Sequence, residues 1–271
     1  MKATIHSKTR RHIMLITTFN VRTPCDKAPY DWASRFPHVK QLLQKYSLPL
    51  LGLQESHIEQ LTDLCADGQY AFIGVGRQSE GERGDGEYSA ILYDKNLFSV
   101  AENGTFWLSD TPEIPGSKSW ETSYARICTW GRFTELATGR SLYHFNTHLD
   151  HRSPLAQKNG LLLILNRMEQ AVQSGIPCFL TGDFNIFPDN EAVAVAKQKL
   201  NYANEVSATP VTGPAYTYHA YKPLESPHKA PIDYIFSTNN VKVKAVHVLD
   251  DLFEGMPPSD HFPVTAEVDF G

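Results

Sequence analysis

Apolar residues come in short runs along the chain, broken by Gly, Pro and Asn. Runs with the alternation or β-branched content of strands fall at Ile13–Val21, Pro49–Gln54, Tyr70–Gly74, Tyr88–Tyr93, Phe98–Gly104 and Ile127–Leu136. Further runs of the same kind lie at Ser141–Thr147, Cys178–Thr181, Pro231–Phe236, Val241–Val248 and Val264–Val268. Two stretches have a helical period instead. In Asp31–Tyr46, Trp32, Phe36, Val39, Leu42 and Leu43 form one stripe, and a second pattern runs through Leu161 to Val172. Ser153 is placed to cap that second helix, with Pro154 in its first turn and Gly175 as its stop. Helices alternate with strands early, and strands then follow one another like hairpins. This order predicts an α+β sandwich of stacked sheets flanked by helices rather than a doubly wound parallel sheet. No Gly-x-Gly-x-x-Gly or P-loop follows a strand. Gly81, Gly84 and Gly86 lie among Glu80, Glu82, Arg83, Asp85 and Glu87, which reads as an exposed loop.

The 271 residues, 41% hydrophobic and 20% charged, suffice for a sizeable core and exclude disorder. No repeat or low-complexity linker divides them, so residues 13–271 are expected to form a single domain behind a loose tail over residues 1–12. Lys plus Arg number 25 against 30 Asp plus Glu, a formal charge of -5. No global positive field draws the protein onto a polyanion, and the only basic run, with Lys8, Arg10 and Arg11, is in the tail. Cys25, Cys65, Cys128 and Cys178 are 40, 63 and 50 residues apart, which matches neither a zinc knuckle nor a redox pair. Reduced, mostly buried thiols are expected. No apolar run reaches membrane-spanning length. Thr17 and Thr18 interrupt the one stretch resembling a signal peptide, and no small-residue cleavage site follows it before Arg22, so a cytoplasmic location is expected.

The chemistry gathers where apolar runs end. Asn20 closes TTFN, Glu55 follows LGLQ, and FNTHLDH carries Asn146, His148, Asp150 and His151. Asp183 and Asn185 lie in GDFN, Asp260 and His261 in SDHFPV, and Asp233 sits within the apolar PIDYIF. Strand ends let loops bring distant residues together over a rigid support. On extended chain Asp183 and Asn185 would leave the strand on one side, an acceptor beside a donor, able to activate a water and hold an oxyanion. Taken alone, the same residues make an ordinary Asx turn. His148 is at an exposed strand end, where an imidazole can donate to a phosphoryl oxygen. For His144 and His151 a satisfied histidine on a solvated face is the better reading. Glu55 is a hard oxygen ligand suited to Mg²⁺ or Mn²⁺, and Asn20 could ligate directly or position Glu55. Asp260 and His261 are sequence neighbours and can face one site only where the chain comes into the strand, as Pro257, Pro258 and Ser259 suggest. Asp233, flanked by apolar residues, needs a buried partner, for which a histidine is the obvious candidate.

In order and wording these segments resemble the endonuclease/exonuclease/phosphatase superfamily, the DNase I-like proteins, from about Met14 to Val268. The resemblance implies a four-layered α/β sandwich, two packed mixed β-sheets with helices outside, and Mg²⁺- or Mn²⁺-dependent cleavage of phosphate esters. It implies Glu55 as principal metal ligand, Asn20 close to it and Asp260 as a further ligand. His148 would contact the scissile phosphate, Asp183 would orient or deprotonate the attacking water, and Asn185 would hold a phosphate oxygen. His261 would be a second catalytic histidine oriented by Asp233. Two more segments, GEYSAILY with Glu87 and SYARICTW with Tyr124 and Arg126, resemble a bacterial branch. Arg126 could take a substrate phosphate bidentately or form a surface ion pair with Glu121 or Glu135. Glu87 could join the metal site or end a charged loop.

The substrate is less legible. Trp120, in the Pro112–Ser123 loop, could stack on a substrate or pack against the core. Without a basic cluster a long duplex is disfavoured, and without an apolar anchor so is a membrane substrate. The expectation is hydrolysis of a small phosphodiester, nucleotide or short single strand by in-line attack of water. The alternatives are a phosphomonoesterase for a phosphorylated metabolite or lipid headgroup, and a catalytically silent phosphate-binding module. No Gly-x-Ser-x-Gly or activated Cys supports a nucleophilic hydrolase.

Overall fold

A computed structural model describes residues 13–78 and 85–270. The expected tail over residues 1–12 and the Glu80–Arg83 and Gly84 part of the charged loop lie outside these residues. Twelve strands form two six-stranded sheets. The first contains β1 (Met14–Asn20), β2 (Leu50–Gln54), β3 (Tyr70–Ile73), β4 (Ile91–Asp94), β11 (Val241–Val248) and β12 (Val264–Phe270), in the order β11-β12-β1-β2-β4-β3. The second contains β5 (Phe98–Trp107), β6 (Ile127–Glu135), β7 (Ser141–His148), β8 (Cys178–Asp183), β9 (Asn201–Tyr202) and β10 (Asp233–Ser237), in the order β5-β6-β7-β8-β10-β9. Each sheet has one parallel pair, β1 with β2 and β7 with β8, among antiparallel neighbours.

Helices α1 (Trp32–Tyr46) and α2 (Ile58–Cys65) cover the outer face of the first sheet, burying Val39, Leu42, Leu61 and Leu64 against Phe19, Leu51, Leu53 and Leu92. Helices α3 (Pro154–Gln173) and α4 (Glu191–Lys197) cover the second, with Ile164, Leu165 and Val193 against Phe145, Leu180 and Phe236. A short α5 (Ala203–Val206) lies against β10 and β11. The result is the four-layered sandwich. Capping explains several helix starts: Asp31 accepts from Ser34 N, Ser153 from Ala156 N and Asn190 from Ala192 N. The short α2 and α4 have too few apolar positions for the sequence pattern to show them. β5 continues past Gly104 to Trp107, and glycine is needed there because a Cβ would come within 2.9 Å of the Trp130 indole nitrogen.

The faces on which the two sheets meet change character along the strands. At one end Met14, Ile16, Leu142, Phe179 and Ile235 interdigitate. Next comes a buried polar layer of Thr18, Gln54, His144, Asn146 and Thr181. Beyond it, at the carboxyl ends of both parallel pairs, lie Asn20, His148 and Asp183. The polar layer joins the sheets directly. Gln54 Nε2 donates to Asn146 Oδ1 at 2.7 Å, and Asn146 Nδ2 donates to the carbonyls of Leu53 and Ala90. Thr181 Oγ1 also donates to Asn146 Oδ1, at 3.0 Å. Gly52 makes room for this contact, since a Cβ there would fall 2.2 Å from Thr181 Oγ1 and 2.3 Å from Asn146 Oδ1. His144 is not on a solvated face: it is fully buried and bonded to Thr181 at 2.8 Å. Of the four thiols, Cys128 and Cys178 are buried and Cys65 partly so, whereas Cys25 is exposed. No helix among the described residues is long and apolar enough to cross a membrane.

Replacing Gly52 with Ala should push the sheets apart at this layer. Urea unfolding is expected to show a loss of about 1–3 kcal/mol relative to wild type.

Candidate active site

Strand register assembles the first part of the site. His148 is opposite Asp183, and Asp183 is opposite Asp233, so three strands place their polar side chains on one rung of the second sheet. The first sheet delivers Asn20 from the end of β1. Its Nδ2 donates to Asp183 Oδ2 at 3.0 Å and to Glu55 Oε1 at 3.0 Å, crossing from one sheet to the other. Its Oδ1 accepts from Arg22 N at 3.0 Å. Asn20 therefore bridges Glu55 and Asp183 across the two sheets and holds both in position.

Strand alternation alone would send Glu55 outward, since its neighbour Gln54 faces inward. A left-handed backbone at Glu55 (φ 57°) turns it into the site, where Thr23 N donates to Oε2 at 3.2 Å. Asn185 is likewise left-handed (φ 56°), and its N–H donates to Asp183 Oδ1 at 2.9 Å. The Asx turn and the site residue are therefore one structure. Asn185 reaches the site through the turn and not along an extended strand. Its Nδ2 donates to Leu149 O at 3.1 Å and lies 2.9 Å from His148 Nε2. A carbonyl can only accept, so the amide orientation is fixed and His148 Nε2 is the acceptor.

The two histidines carry opposite charge states. Burial draws both imidazoles toward neutrality. At His261 the carboxylates of Asp233, Asp183 and Asp260 outweigh burial and push it up to about 10. Its Nδ1 donates to Asp233 Oδ2 at 2.9 Å, and its Nε2 lies 3.8 Å from Asp183 Oδ2. His148 also has carboxylates nearby, Asp183 at 3.6 Å from its Nε2 and Glu87 at 3.8 Å from its Nδ1, but they do not prevail. Burial, followed by Arg126 and Arg77, holds it well below the usual histidine range. Burial, then the Asp233 charge, raises Asp183 to about 7. Burial also raises Asp260 and Glu87, whereas at Glu55 its effect is overcome by Arg22 and by the bond from Asn20.

These groups line a cavity of about 530 Å³. Tyr124 and Arg126 border it, as do four residues to which the sequence assigned no role: Arg22, Arg77, Tyr218 and His228. Arg77 pairs bidentately with Glu87 at 2.8 and 2.9 Å and lies 4.7 Å from the centre of the Tyr124 ring. No motif surrounds Arg77 in the sequence, so only its fold position marks it. Arg126 is not in a surface ion pair: it is 5% exposed, and Glu135 pairs with Arg140 instead. Its Nε and Nη1 have no hydrogen-bond partner, and its Nη2 meets His151 Nδ1 at 3.2 Å. His151 is exposed and bonded, as expected of a solvated histidine, and it also forms part of the cavity wall. Asp150 is buried and accepts from Ser123, Arg152 and Ser153 N–H groups, shaping the loops beside Arg126. Trp120 packs against the core and donates to Asp110.

Two groups of donors lie close enough to share a cation: Glu55, His148 and Asp183, and Asp183, Asp233 and His261. The second is closed by the charged His261–Asp233 pair, and a protonated imidazole offers no lone pair to a metal. The first supplies hard carboxylate oxygens facing the cavity, a donor set that suits a divalent cation such as Mg²⁺ or Mn²⁺.

A sandwich of two mixed sheets with a carboxylate and histidine cluster at the strand ends defines a class of phosphoester hydrolases. The chain belongs to the Endonuclease/Exonuclease/phosphatase family, whose profile matches residues 17–261. Members of the family are hydrolases acting on phosphoesters and generally use a divalent metal. Among solved structures, an endonuclease/exonuclease/phosphatase family protein from Bacteroides thetaiotaomicron is 32% identical, with a TM-score of 0.88 over 96% of this chain and 98% of that one. The mannosyl-6-phosphatase Bt3783 of Bacteroides thetaiotaomicron is also 32% identical, with a TM-score of 0.87 over 95% of this chain and 100% of that one. A curated relative, uncharacterized protein R895 of Acanthamoeba polyphaga mimivirus, is 29% identical over 105 residues, 34% of this chain and only 15% of that protein.

The shifts at Asp183 and His261 have the same sign for stability. The native state of the metal-free protein binds an extra proton at Asp183 between pH 3.8 and about 7, and at His261 between pH 6.5 and about 10. Stability is therefore expected to fall as pH rises through both windows. Urea unfolding of the metal-free protein should show a decline from pH 6.5 to 10 that is absent in His261→Gln.

Proposed function

We propose that the chain is a divalent-metal-dependent phosphoesterase whose substrate is a small phosphomonoester bound within the 530 Å³ cavity. Arg126 carries this reading. Its buried guanidinium leaves Nε, 3.8 Å from Asp150, and Nη1 without a hydrogen bond and so able to donate to an anion in the cavity, with Arg77, paired to Glu87, on the same wall. A phosphomonoester offers three terminal oxygens to these donors, against two in a diester. The similarity to a mannosyl-6-phosphatase supports a phosphorylated sugar or related polyol.

In this reading Glu55 is the principal metal ligand, with Asp260 as a further one and Asn20 keeping Glu55 in place. The bound cation would supply charge stabilisation at the phosphoryl oxygens. Asp183, raised to about 7, is poised near neutrality to orient the attacking water and accept its proton. His261, held charged by Asp233, donates from Nε2 to a phosphoryl oxygen as negative charge develops. His148 contacts the phosphate as a neutral imidazole. Asn185 holds a phosphate oxygen by exchanging its bond to His148 for one to the substrate. Tyr124, stacked with Arg77, and Arg126 bind the substrate from the opposite wall.

Hydrolysis of p-nitrophenyl phosphate and bis-p-nitrophenyl phosphate, each with Mg²⁺, Mn²⁺ or EDTA, tests the class. Metal-dependent cleavage of the monoester is expected. Cleavage of the diester alone would return the assignment to a phosphodiesterase, and silence on every phosphoester would leave a binding module.

Two groups of variants test the roles. Asp183→Asn should lower kcat by about 10²–10⁴-fold with an unchanged circular dichroism spectrum. Glu55→Gln should weaken Mn²⁺ binding about tenfold or more in calorimetric titration, and an unchanged titration removes it from the ligand set. His261→Ala and Asp233→Ala should be non-additive in kcat, because each disables the same pair.

A further inference from the structure

A second cavity, of about 430 Å³, adjoins the first and shares Arg22, Tyr218 and Asp260 with it. Its remaining wall includes Asp26, Lys27, Tyr30 and Tyr221. Two loops far apart in the chain supply these residues, and no motif connects them. Tyr30 and Tyr221 stack with ring centres 4.0 Å apart and planes 19° apart. The pair therefore acts as one aromatic slab, closed to anything that would insert between the rings. The bidentate bond from Arg22, at 2.8 and 3.1 Å, keeps Asp26 ionised in spite of partial burial. Lys27 is exposed and has no ion-pair partner among the described residues.

The same arginine links this wall to the site, because Arg22 also faces Glu55 at 3.5 Å and Asp260 at 3.7 Å. Tyr218 forms the threshold, its ring 5.0 Å from that of His261. A molecule whose phosphate lies over the Asp183–His261 pair in the first cavity reaches the second past that ring. A flat aromatic wall bordered by a carboxylate and an ammonium group suits a polyhydroxylated ring. Its C–H face lies on the aromatic surface and its hydroxyls bond to the charged groups. A nucleobase gains most from a slot between two rings, and here that slot is shut.

We propose that this second cavity is the alcohol subsite of the enzyme and that it takes a hexose ring. The proposal rests on the phosphoesterase reading for its place in catalysis, but binding of the ring can be measured without turnover. Saturation-transfer NMR on the metal-free protein, with free D-mannose, D-glucose and adenosine as probes, is the deciding experiment. Transfer to the ring protons of at least one hexose is expected, retained in Tyr30→Phe, lost in Tyr30→Ala and reduced in Lys27→Ala. Transfer to neither hexose, transfer to adenosine alone, or hexose signals unchanged in both Tyr30→Ala and Lys27→Ala would overturn it. Kinetics form the second arm: Tyr30→Ala should raise KM for the bound hexose's 6-phosphate about tenfold more than KM for p-nitrophenyl phosphate, with kcat changed less. Equal losses on the two substrates also overturn the subsite. Failure of the wild type to hydrolyse any phosphomonoester would instead remove the proposed function, leaving the NMR arm to decide whether the ring binds.

Discussion

The hydrogen bond from Gln54 to Asn146 is the contact on which the site depends, because it ties one sheet to the other directly beneath the catalytic rung. Two sheets packed only through aliphatic side chains can slide by fractions of an ångström at little cost. Here Asn146 also bonds to two carbonyls of the first sheet, and Thr181 completes its coordination. Breaking one member would strand a buried polar group, at a cost of about 1–3 kcal/mol. The layer therefore fixes the separation and register of the sheets where precision is needed. One rung above it, Asn20 repeats the crossing and holds Asp183 of one sheet against Glu55 from the other.

On this frame, electrostatics divides the cavity. Asp233 and Asp183 surround His261 and keep it charged, whereas burial together with Arg126 and Arg77 keeps His148 neutral. Two imidazoles facing one cavity thus shift in opposite directions, because carboxylates outweigh burial at His261 whereas burial and two arginines prevail at His148. The arrangement gives the site a donor with a full positive charge beside a carboxyl poised near neutrality, the pairing that proton transfer and anion stabilisation require.

Three of the nine left-handed non-glycine residues among the described residues lie in the same place. Arg22, Glu55 and Asn185 all have a left-handed backbone, and each lies just beyond the end of a strand that feeds the site. None is glycine, and conformations of this kind cost of order 1–3 kcal/mol each where the surroundings must hold them. In return, the chain changes direction within one or two residues of a rigid strand, so the side chains it re-aims are fixed almost as firmly as the strand itself.

The sequence by itself determined most of the strands, the two long helices, the Ser153 cap of the second, and the residue types of the site. Period-two and helical patterns reflect which faces are buried, and burial on that scale is a local property of the chain. His148, Asp183 and Asp233 were visible because polar residues at the ends of apolar strands need a reason to be there. Tertiary structure alone decided where the side chains point and what surrounds them. It turned Glu55 inward against the strand alternation, placed Asn20 between Glu55 and Asp183, drew His151 into the cavity wall, and of the two readings of Arg126 removed the surface ion pair. It also brought Arg77, Tyr218 and the Tyr30–Tyr221 slab to the site from loops that carry no motif. The reason is physical: orientation, charge state and cavity shape arise from groups distant in sequence and near in space, and hydrophobic periodicity records neither their approach nor the field they create.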